Sequence, residues 1–329
     1  MPTNQPRPNV HQQRGVAIIT ALLVVMLAAT IAAYLLAQQS RALTRMARAT
    51  ERAQVLLYAQ PTLDWARAVL FESRNDAYVH TRQAWAQPIA AQPLLAANNT
   101  SNVFAAGFIR DEAAKFNLNN LVFKGVASVE DIEIFRQLLK QLKLNPDLCD
   151  AVVDWLDTDS EARANGAEDG YYLSLAAPYR TANRPMVQWQ ELARVRGFDA
   201  AVMQRLAPFV TALPPDAKTS STSRSKININ TAPLALIQAL FPEITGDDAV
   251  ELVRLRELPF LNRDDLLSRK PALKKALTNF DQFADVKSRH FLVSLAITGE
   301  NAAVHQTVLL ERVETNPASW PRIIWVQTQ

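Results

Sequence analysis

Residues 14–41 read RGVAIITALLVVMLAATIAAYLLAQQSR, a long apolar run with an arginine at each end. No charged residue occurs between Val16 and Ala37. At about 1.5 Å per residue in a helix, this run spans roughly 30 Å, which is the hydrocarbon thickness of a bilayer. A helix satisfies its own backbone hydrogen bonds, so it can cross a membrane as a single element. The sequence therefore predicts one transmembrane helix over residues 16–38.

Arg14 and Gly15 directly precede the apolar run, and a polar pattern with helical periodicity follows it. This arrangement resembles the leader of type IV prepilins. The resemblance implies that a prepilin peptidase cleaves between Gly15 and Val16, that the new amino terminus is methylated, and that the helix is retained. An ordinary amino-terminal anchor is the alternative for this stretch taken alone. A secretory signal peptide is disfavoured, because its cleavage site follows a shorter apolar region.

Thr20 is the fifth residue of the predicted mature chain, where prepilins usually carry glutamate. In that family the glutamate meets the free amine of a neighbouring subunit in an apolar setting, where an unpaired charge is unfavourable. Threonine offers a hydrogen bond but no countercharge. Among prepilin-like proteins, this substitution resembles the K-type minor pseudopilins of the type II secretion system.

The composition leaves room for a membrane helix and two compact domains, with 329 residues of which 49% are apolar. The net charge is only +3, and much of the excess lies in the arginine-rich stretch after the anchor, so no broad basic surface for nucleic acid is indicated. Cys149 has no second cysteine to pair with. Glycine-rich nucleotide loops and the common hydrolase motifs are absent from the sequence.

Strand-like segments before and after a long helical block predict an α+β fold. We expect an amino-terminal transmembrane and amphipathic helix, a small antiparallel pilin-like sheet, and a large all-helical domain inserted into that sheet. The predicted divisions are a leader (1–15), a transmembrane helix (16–38), a pilin-like helix with the first strands (39–111), an inserted helical domain (112–285) and carboxy-terminal strands (286–329).

An internal repeat subdivides the helical block. KFNLNN at 115–120 is echoed by KININT at 226–231, and each copy leads into helices and then a segment of the form apolar-x-x-x-acid-Leu (187–192 and 261–266). Asparagine suits turns and helix caps because its side chain bonds to nearby backbone groups. The repeat predicts two related units, about 112–213 and 226–285, of helix-hairpin-helix or SAM-like type.

A helix-hairpin-helix module suggests an alternative function, a membrane-anchored nucleic-acid-binding protein. Such modules present backbone amides of a glycine-containing hairpin to phosphate. Here Gly246 is present, but Glu243, Asp247 and Asp248 lie where phosphate would approach. Repulsion between these acidic side chains and phosphate disfavours DNA binding and favours a scaffold role for the module. Retention of the protein on DNA at moderate salt would instead support nucleic-acid binding.

Two acidic motifs contain the candidate metal ligands, DWLDTDSE at 154–161 and NGAEDGYY at 165–172. Counted from Asp157, carboxylates at positions 1, 3, 5 and 12 (Asp157, Asp159, Glu161 and Glu168) match a calcium loop, but Ala162 replaces its sixth-position glycine. Oxygen ligands without histidine or cysteine favour a hard cation, Ca²⁺ more than Mg²⁺. The alternatives are a solvated acidic loop that caps helices and an acid–base hydrolase site.

The motifs DEAAKFNLNNL, DWLDTDSE, NGAEDGYYLSL, PYRTANRPM and ININTA follow one another between residues 111 and 232. In this combination the chain resembles the K-type minor pseudopilins (general secretion pathway protein K), which have a helical domain that binds calcium within a pilin-like body. Carried over to this sequence, the ligands are Asp157, Asp159, Glu168 and Asp169, with Glu161 as a further candidate. Gly170 stands where another acidic residue is expected.

The same resemblance implies a structural role without catalysis, at the tip of a periplasmic pseudopilus that exports proteins across the outer membrane. It implies a single-pass protein of the bacterial inner membrane with a cytoplasmic amino terminus and a periplasmic body. The implied partners are the I- and J-type minor pseudopilins, the major pseudopilin and the prepilin peptidase, with no nucleic acid.

Overall fold

The computed structural model describes residues 10–94, 103–215, 224–312 and 319–329. Residues 1–9 of the predicted leader, and the short stretches 95–102, 216–223 and 313–318, lie outside the described residues. The helices are α1 (Val10–Leu57), α2 (Ala59–Glu72), α3 (Val129–Gln141), α4 (Leu148–Leu156), α5 (Asp169–Tyr172), α6 (Ala200–Leu206), α7 (Leu234–Leu240), α8 (Gly246–Leu255), α9 (Arg263–Arg269) and α10 (Phe280–Phe283). The strands are β1 (Ile89–Pro93), β2 (Phe104–Asp111), β3 (Phe116–Asn117), β4 (Val122–Phe123), β5 (Val126–Ala127), β6 (Val210–Thr211), β7 (Ile227–Asn228), β8 (Ala284–Asp285), β9 (His290–Thr298), β10 (Ala303–Glu311) and β11 (Arg322–Thr328).

Helix α1 runs from the apolar stretch into the polar segment without interruption. The large apolar side chains between Val16 and Leu36 are exposed rather than packed against protein. Among the described residues, this is the one helix long and apolar enough to cross a membrane. An exposed apolar surface of this length suits contact with lipid, so the predicted amino-terminal apolar helix is confirmed.

Pro61 explains the boundary between α1 and α2. The helix pauses at Tyr58 and resumes at Ala59. Proline has no backbone N–H to donate to the carbonyl four residues earlier, so the hydrogen-bond ladder is weakened here. Beyond it, Leu63, Ala66 and Leu70 line the buried face of α2.

This face of α2 packs against a five-stranded antiparallel sheet. The strand order of the sheet is β1-β2-β9-β10-β11. Side chains alternate between the two faces of a strand, and every second residue of β9 from Phe291 to Ile297 is buried. The cluster formed by α2 and the sheet also includes Ile109 and Val308. We call α2 and this sheet the head.

The helical insertion, residues 112–285, leaves the head after β2 and returns to it before β9. Because β2 and β9 pair directly with each other, both ends of the insertion lie at the same end of the sheet. Its buried side chains, from Phe116 to Ala284, form together with Val286 a hydrophobic cluster distinct from those of the head. The insertion therefore has its own core.

The insertion is not all-helical as predicted, because each half of it is closed by a short parallel strand pair. Phe116 pairs with Val210 in the first half, and Ile227 pairs with Ala284 in the second. The first strand of each pair belongs to one copy of the asparagine-containing repeat.

The repeated asparagines make the same contacts in both halves. Asn119 Nδ2 donates to the Met186 carbonyl (2.9 Å), and Asn119 Oδ1 accepts from the Met186 amide (2.8 Å). Asn230 bonds the carbonyl and the amide of Phe260 in the same way, both at 2.9 Å. One buried side chain thereby satisfies two backbone groups, which holds the middle of each half to its first strand.

The acidic residues of the two apolar-x-x-x-acid-Leu segments are also equivalent. Glu191 Oε1 accepts from the Val187 amide at 2.7 Å, and Asp265 Oδ2 accepts from the Leu261 amide at 3.0 Å. In both halves a carboxylate thus caps the turn just after the asparagine-bonded residue.

Asp111, the last residue of β2, joins the head to the insertion. It is buried, and its Oδ2 accepts hydrogen bonds from Asn228 (3.0 Å), Thr231 (2.6 Å) and Ser288 (2.7 Å). Its Oδ1 accepts from the Ala113 amide at 2.9 Å. Burial raises the pKa of Asp111, and these four hydrogen bonds oppose that increase.

Substituting Asn230→Ala should destabilise the protein by about 1–3 kcal/mol, because it leaves the buried amide and carbonyl of Phe260 without partners. Asn119→Ala should have a comparable effect through Met186. Thermal and denaturant unfolding of the full-length protein in detergent measures both. Asn279→Ala, at an exposed asparagine, is the control and should stay within about 0.5 kcal/mol of wild type. An Asn230→Ala variant as stable as the control would contradict the proposed role of this contact.

Candidate metal centre

The acidic loop connects the buried helix α4 to the short helix α5. Helix α4 ends at Leu156, and Asp157 is its capping residue. Glu168 directly precedes α5. The two sides are held together by aromatic packing, since the rings of Trp155 and Tyr172 lie 5.3 Å apart between centroids. The loop ends are thereby brought close in space.

Three predicted ligands meet in this loop. Asp157, Asp159 and Glu168 each offer one carboxylate oxygen, and these oxygens all lie within 4.8 Å of one another. Asp157 and Glu168 are buried, whereas Asp159 is exposed. We call these three residues the carboxylate cluster.

The buried oxygens of the cluster lack hydrogen-bond donors. Asp157 Oδ1 and Glu168 Oε1 are both buried without a hydrogen-bond partner among the described residues. A buried polar atom without a partner is unfavourable, and most such atoms in folded proteins are bonded. The arrangement therefore suits a cation that binds oxygen, because a cation would satisfy these atoms.

The pKa values indicate the same need for positive charge. Burial, followed by repulsion from Asp159 and Asp154, raises the pKa of Asp157 to about 6. Burial and the neighbouring carboxylates raise the pKa of Glu168 to about 7. Near neutral pH the ionised cluster is thus electrostatically strained unless a cation offsets the negative charge.

Asp154 lies behind the cluster and was not among the predicted ligands. It lies on α4, three residues before the capping residue Asp157, so both residues are on one side of the end of this helix. Asp154 is fully buried, its Oδ2 accepts from the Arg163 amide at 3.1 Å, and its Oδ1 has no hydrogen-bond partner among the described residues. The Arg163 Nε atom is 3.7 Å from Oδ1 and partly offsets the charge. The three-residue spacing was the signal that could have identified it.

Gly166 allows the loop to pass this carboxylate. A Cβ atom at position 166 would lie 1.8 Å from Asp154 Oδ2, closer than any real contact. Any larger residue must therefore displace either Asp154 or the loop. Glycine is needed at position 166 because the backbone there lies directly against the Asp154 side chain.

Two of the predicted ligands lie outside the cluster. Asp169 accepts from the amide (2.9 Å) and hydroxyl (2.8 Å) of Thr181 and from Arg180 (2.9 Å), and these contacts lower its pKa. Its oxygens are already satisfied, which explains why it does not join the cluster. Glu161 is exposed, and its backbone amide donates to Asp159 Oδ1 at 2.8 Å.

The predicted cleavage site and the substituted fifth position both lie on α1. The helix runs through Gly15 and Val16. Thr20 Oγ1 lies 3.0 Å from the carbonyl oxygens of both Val16 and Ala17. The hydroxyl is thus used within its own helix, and position 20 supplies no negative charge for a neighbour's amine.

The hairpin of the second half is unsuited to phosphate. Thr245 caps α8, where its Oγ1 accepts from the Asp248 amide at 3.1 Å and donates to Asp248 Oδ2 at 2.8 Å. Asp248 Oδ1 also pairs with Lys270 Nζ at 3.3 Å. A carboxylate and a cap therefore occupy the helix start that a nucleic-acid binder would offer to phosphate.

The chain is similar to known proteins over most of its length. Two family models, both described as Type II secretion system (T2SS), protein K, match residues 114–215 and 227–287. Type II secretion system protein K of Klebsiella pneumoniae is 31% identical over 317 residues, which cover 92% of this chain and 93% of the relative. The protein of the same name from Aeromonas hydrophila is 32% identical over 325 residues, with 92% and 94% covered.

A solved structure has the same fold. The crystal structure of the GspK-GspI-GspJ complex from the enterotoxigenic Escherichia coli Type 2 Secretion System contains a chain that matches this one with a TM-score of 0.72 at 25% identity. The match covers 87% of this chain and 99% of that chain, so it includes both the head and the insertion. With these relatives and this fold, the chain belongs to the type II secretion system protein K family.

Proposed function

We propose that this chain is a minor pseudopilin that caps the tip of the periplasmic pseudopilus and helps to start its assembly. The observation that carries this proposal is the size and position of the helical insertion, which has its own core and emerges from one end of the sheet. A subunit within a helical filament must contact neighbours above and below. At the distal end nothing stacks above, so an insertion of this size meets no clash.

Thr20 supports the same position. A subunit in the shaft needs a carboxylate near its amino terminus to neutralise a neighbour's amine in an apolar surrounding. The Thr20 hydroxyl instead bonds to its own helix. A tip subunit has no subunit above it, so the missing charge leaves no amine unpaired.

The proposed partners are I- and J-type minor pseudopilins. The support is the fold shared with a chain of the GspK-GspI-GspJ complex over nearly all of that chain. Contact with the major pseudopilin below and processing by a prepilin peptidase complete the proposal. The chain acts as a structural component, crosses the inner membrane once, and has its amino terminus in the cytoplasm and its head and insertion in the periplasm.

We further propose that the insertion consists of two copies of a helix-hairpin-helix or SAM-like module, at about 112–213 and 226–285. The paired contacts of Asn119 and Asn230 support a common origin, since both bond the amide and carbonyl of one distant residue. A module that keeps this contact but carries acidic side chains at its hairpin serves as a scaffold.

Calcium is the proposed cofactor of the carboxylate cluster. The donor set fits, because three carboxylates converge within 4.8 Å and two of their buried oxygens lack partners. Bound there, Ca²⁺ would supply positive charge and would tie Asp157 at the end of α4 to Glu168 before α5. Asp154 would support the site from behind. The ion would thus stabilise the first half of the insertion and take no part in a reaction.

Replacing Gly15 by leucine should block processing, because the site for cleavage is the small residue before the apolar run. The full-length precursor should then accumulate in the inner membrane. Mass spectrometry of the amino terminus should find methylated Val16 in the wild type and in the control Ala21→Val, but not in Gly15→Leu. A mature Val16 terminus in the Gly15→Leu variant would refute the leader assignment.

Calcium at about 100 times its Kd should raise the melting temperature of the full-length protein by roughly 5–10 °C relative to chelator. Asp157→Asn should abolish this increase, whereas Asp169→Asn, outside the cluster, should retain it. Differential scanning calorimetry with CaCl₂ or EGTA measures both, and an equal response of the two variants would exclude the cluster as the site.

The effect of pH follows from the raised pKa values of about 6 for Asp157 and about 7 for Glu168. Both lie above the unfolded values near 4, so the folded metal-free protein holds more protons, and its stability falls as pH rises through this window. In EGTA the melting temperature should therefore be lower at pH 8 than at pH 5.5. The gain from calcium should be larger at pH 8, because protons compete with the ion at pH 5.5.

Labelled protein should be found at one end of the pseudopilus. An epitope placed in the helical insertion and imaged on isolated filaments by immunogold electron microscopy tests this position. A label on the major pseudopilin is the control and should decorate the whole shaft. If the label in the insertion were found along the whole shaft, the tip position would be refuted.

A further inference from the structure

Four arginines form a stripe on α1 between the membrane segment and the head. Arg41, Arg45, Arg48 and Arg52 follow one another at spacings of four, three and four residues, which places them on one face of the helix. All four are exposed. Val55, three residues after Arg52, lies on the same face and is fully buried against the head. The face of α1 that carries the arginine stripe is therefore the same face that packs against the head. The stripe lies on the part of α1 below the head.

The charge of this stripe is not compensated within the described residues. Residues 38–57 contain one acidic side chain, Glu51, whose Oε1 accepts from the Asn301 amide at 2.5 Å. Among the residues that the structure describes, no carboxylate lies within 4.0 Å of a guanidinium of the stripe. Four arginines and one glutamate give this segment a formal charge of +3, equal to that of the whole chain. The rest of the chain sums to zero, so this face is a local concentration of positive charge.

The length of the stripe distinguishes a lipid surface from a protein partner. The apolar run ends at Ala37, so Arg41 lies about 6 Å and Arg52 roughly 22 Å beyond the hydrocarbon boundary along the helix. The headgroup layer is about 5–8 Å thick on each side, and its potential is screened over about 8 Å at physiological salt. Anionic lipid could therefore match Arg41 and Arg45, but it does not reach Arg48 and Arg52. A partner for the whole stripe must stand upright beside α1 for about 16 Å.

We propose that the arginine stripe is the docking surface for the acidic face of a second membrane-anchored subunit, which lies beneath the head. This inference rests on the proposed function, because pseudopilin assembly supplies other helices that rise from the same membrane. The partner presents carboxylates spaced along an upright helix or along the side of its own head.

A second face of α1 explains why a charged contact is useful here. Leu43, Met46 and Leu57 lie on the side opposite the stripe and are strongly exposed. Apolar contacts of that kind are available to any neighbouring helix and discriminate poorly. Complementary charge on the other face selects the partner and sets its register, because a wrong partner would leave four arginines unpaired.

Co-purification tests the stripe on the full-length chain. The tagged protein is expressed with I- and J-type minor pseudopilins and solubilised in mild detergent, and the captured subunits are quantified. Arg45→Gln/Arg48→Gln should capture about tenfold less of one partner, a loss of about 1.4 kcal/mol. Arg45→Lys/Arg48→Lys should retain most of the capture, and 0.5 M NaCl should weaken the wild-type complex.

Arg194→Gln/Arg205→Gln is the matched control, since it removes the same charge from exposed arginines of the insertion. It should capture as much partner as the wild type. Equal capture by the control and the stripe variant would overturn the inference while leaving the proposed function intact. Failure of the wild type to capture either subunit would overturn the proposed function, and the inference with it.

Photo-cross-linking identifies what lies against the upper half of the stripe. A photoreactive amino acid at position 48 or 52 should form adducts with an acidic segment of another subunit, located by mass spectrometry. Adducts with phospholipid alone would show that the stripe faces the membrane and would overturn the inference.

Discussion

The buried carboxylate of Asp111 is the interaction on which the architecture depends. Its donors come from three separate places: the chain just after β2, the second copy of the asparagine-containing repeat, and the residues just before β9. Asn228 also donates to the carbonyl of Val79 in the connection after α2. A buried carboxylate is unfavourable unless it is well bonded, and at Asp111 the bonds come from the head and from both ends of the insertion.

The carboxylate cluster of the acidic loop shows the opposite situation. Asp111 is satisfied by protein donors, whereas Asp157 and Glu168 hold buried oxygens without partners among the described residues. The same side-chain chemistry thus serves as a structural junction at one place and as a candidate cation site at the other. What separates them is the supply of hydrogen-bond donors, which a bound ion would replace.

Under the proposed function, the anchor helix with the head and the helical insertion have different roles. The anchor helix and the head provide the contacts that a pilin-like subunit needs, and the insertion determines where in the filament the subunit fits. The arginine stripe links these tasks, because it lies where a second subunit must stand if the insertion is to occupy the tip. Assembly would then depend on charge as well as on the apolar surface of α1.

The features that depend on local pattern can be predicted from the sequence alone. Chain length and the absence of charge between Val16 and Ala37 predict a membrane helix without knowledge of any other part. The asparagine repeat predicted two related halves, because caps and turns are local structures. Which carboxylates meet depends on the tertiary structure, since Glu168 joins Asp157 and Asp159 across the loop, while Asp169 is held by Thr181. The tertiary structure also decided the pairing of β2 with β9 and the position of the arginine stripe beneath the head. These features depend on contacts between residues far apart in the chain, and no local pattern encodes their distances.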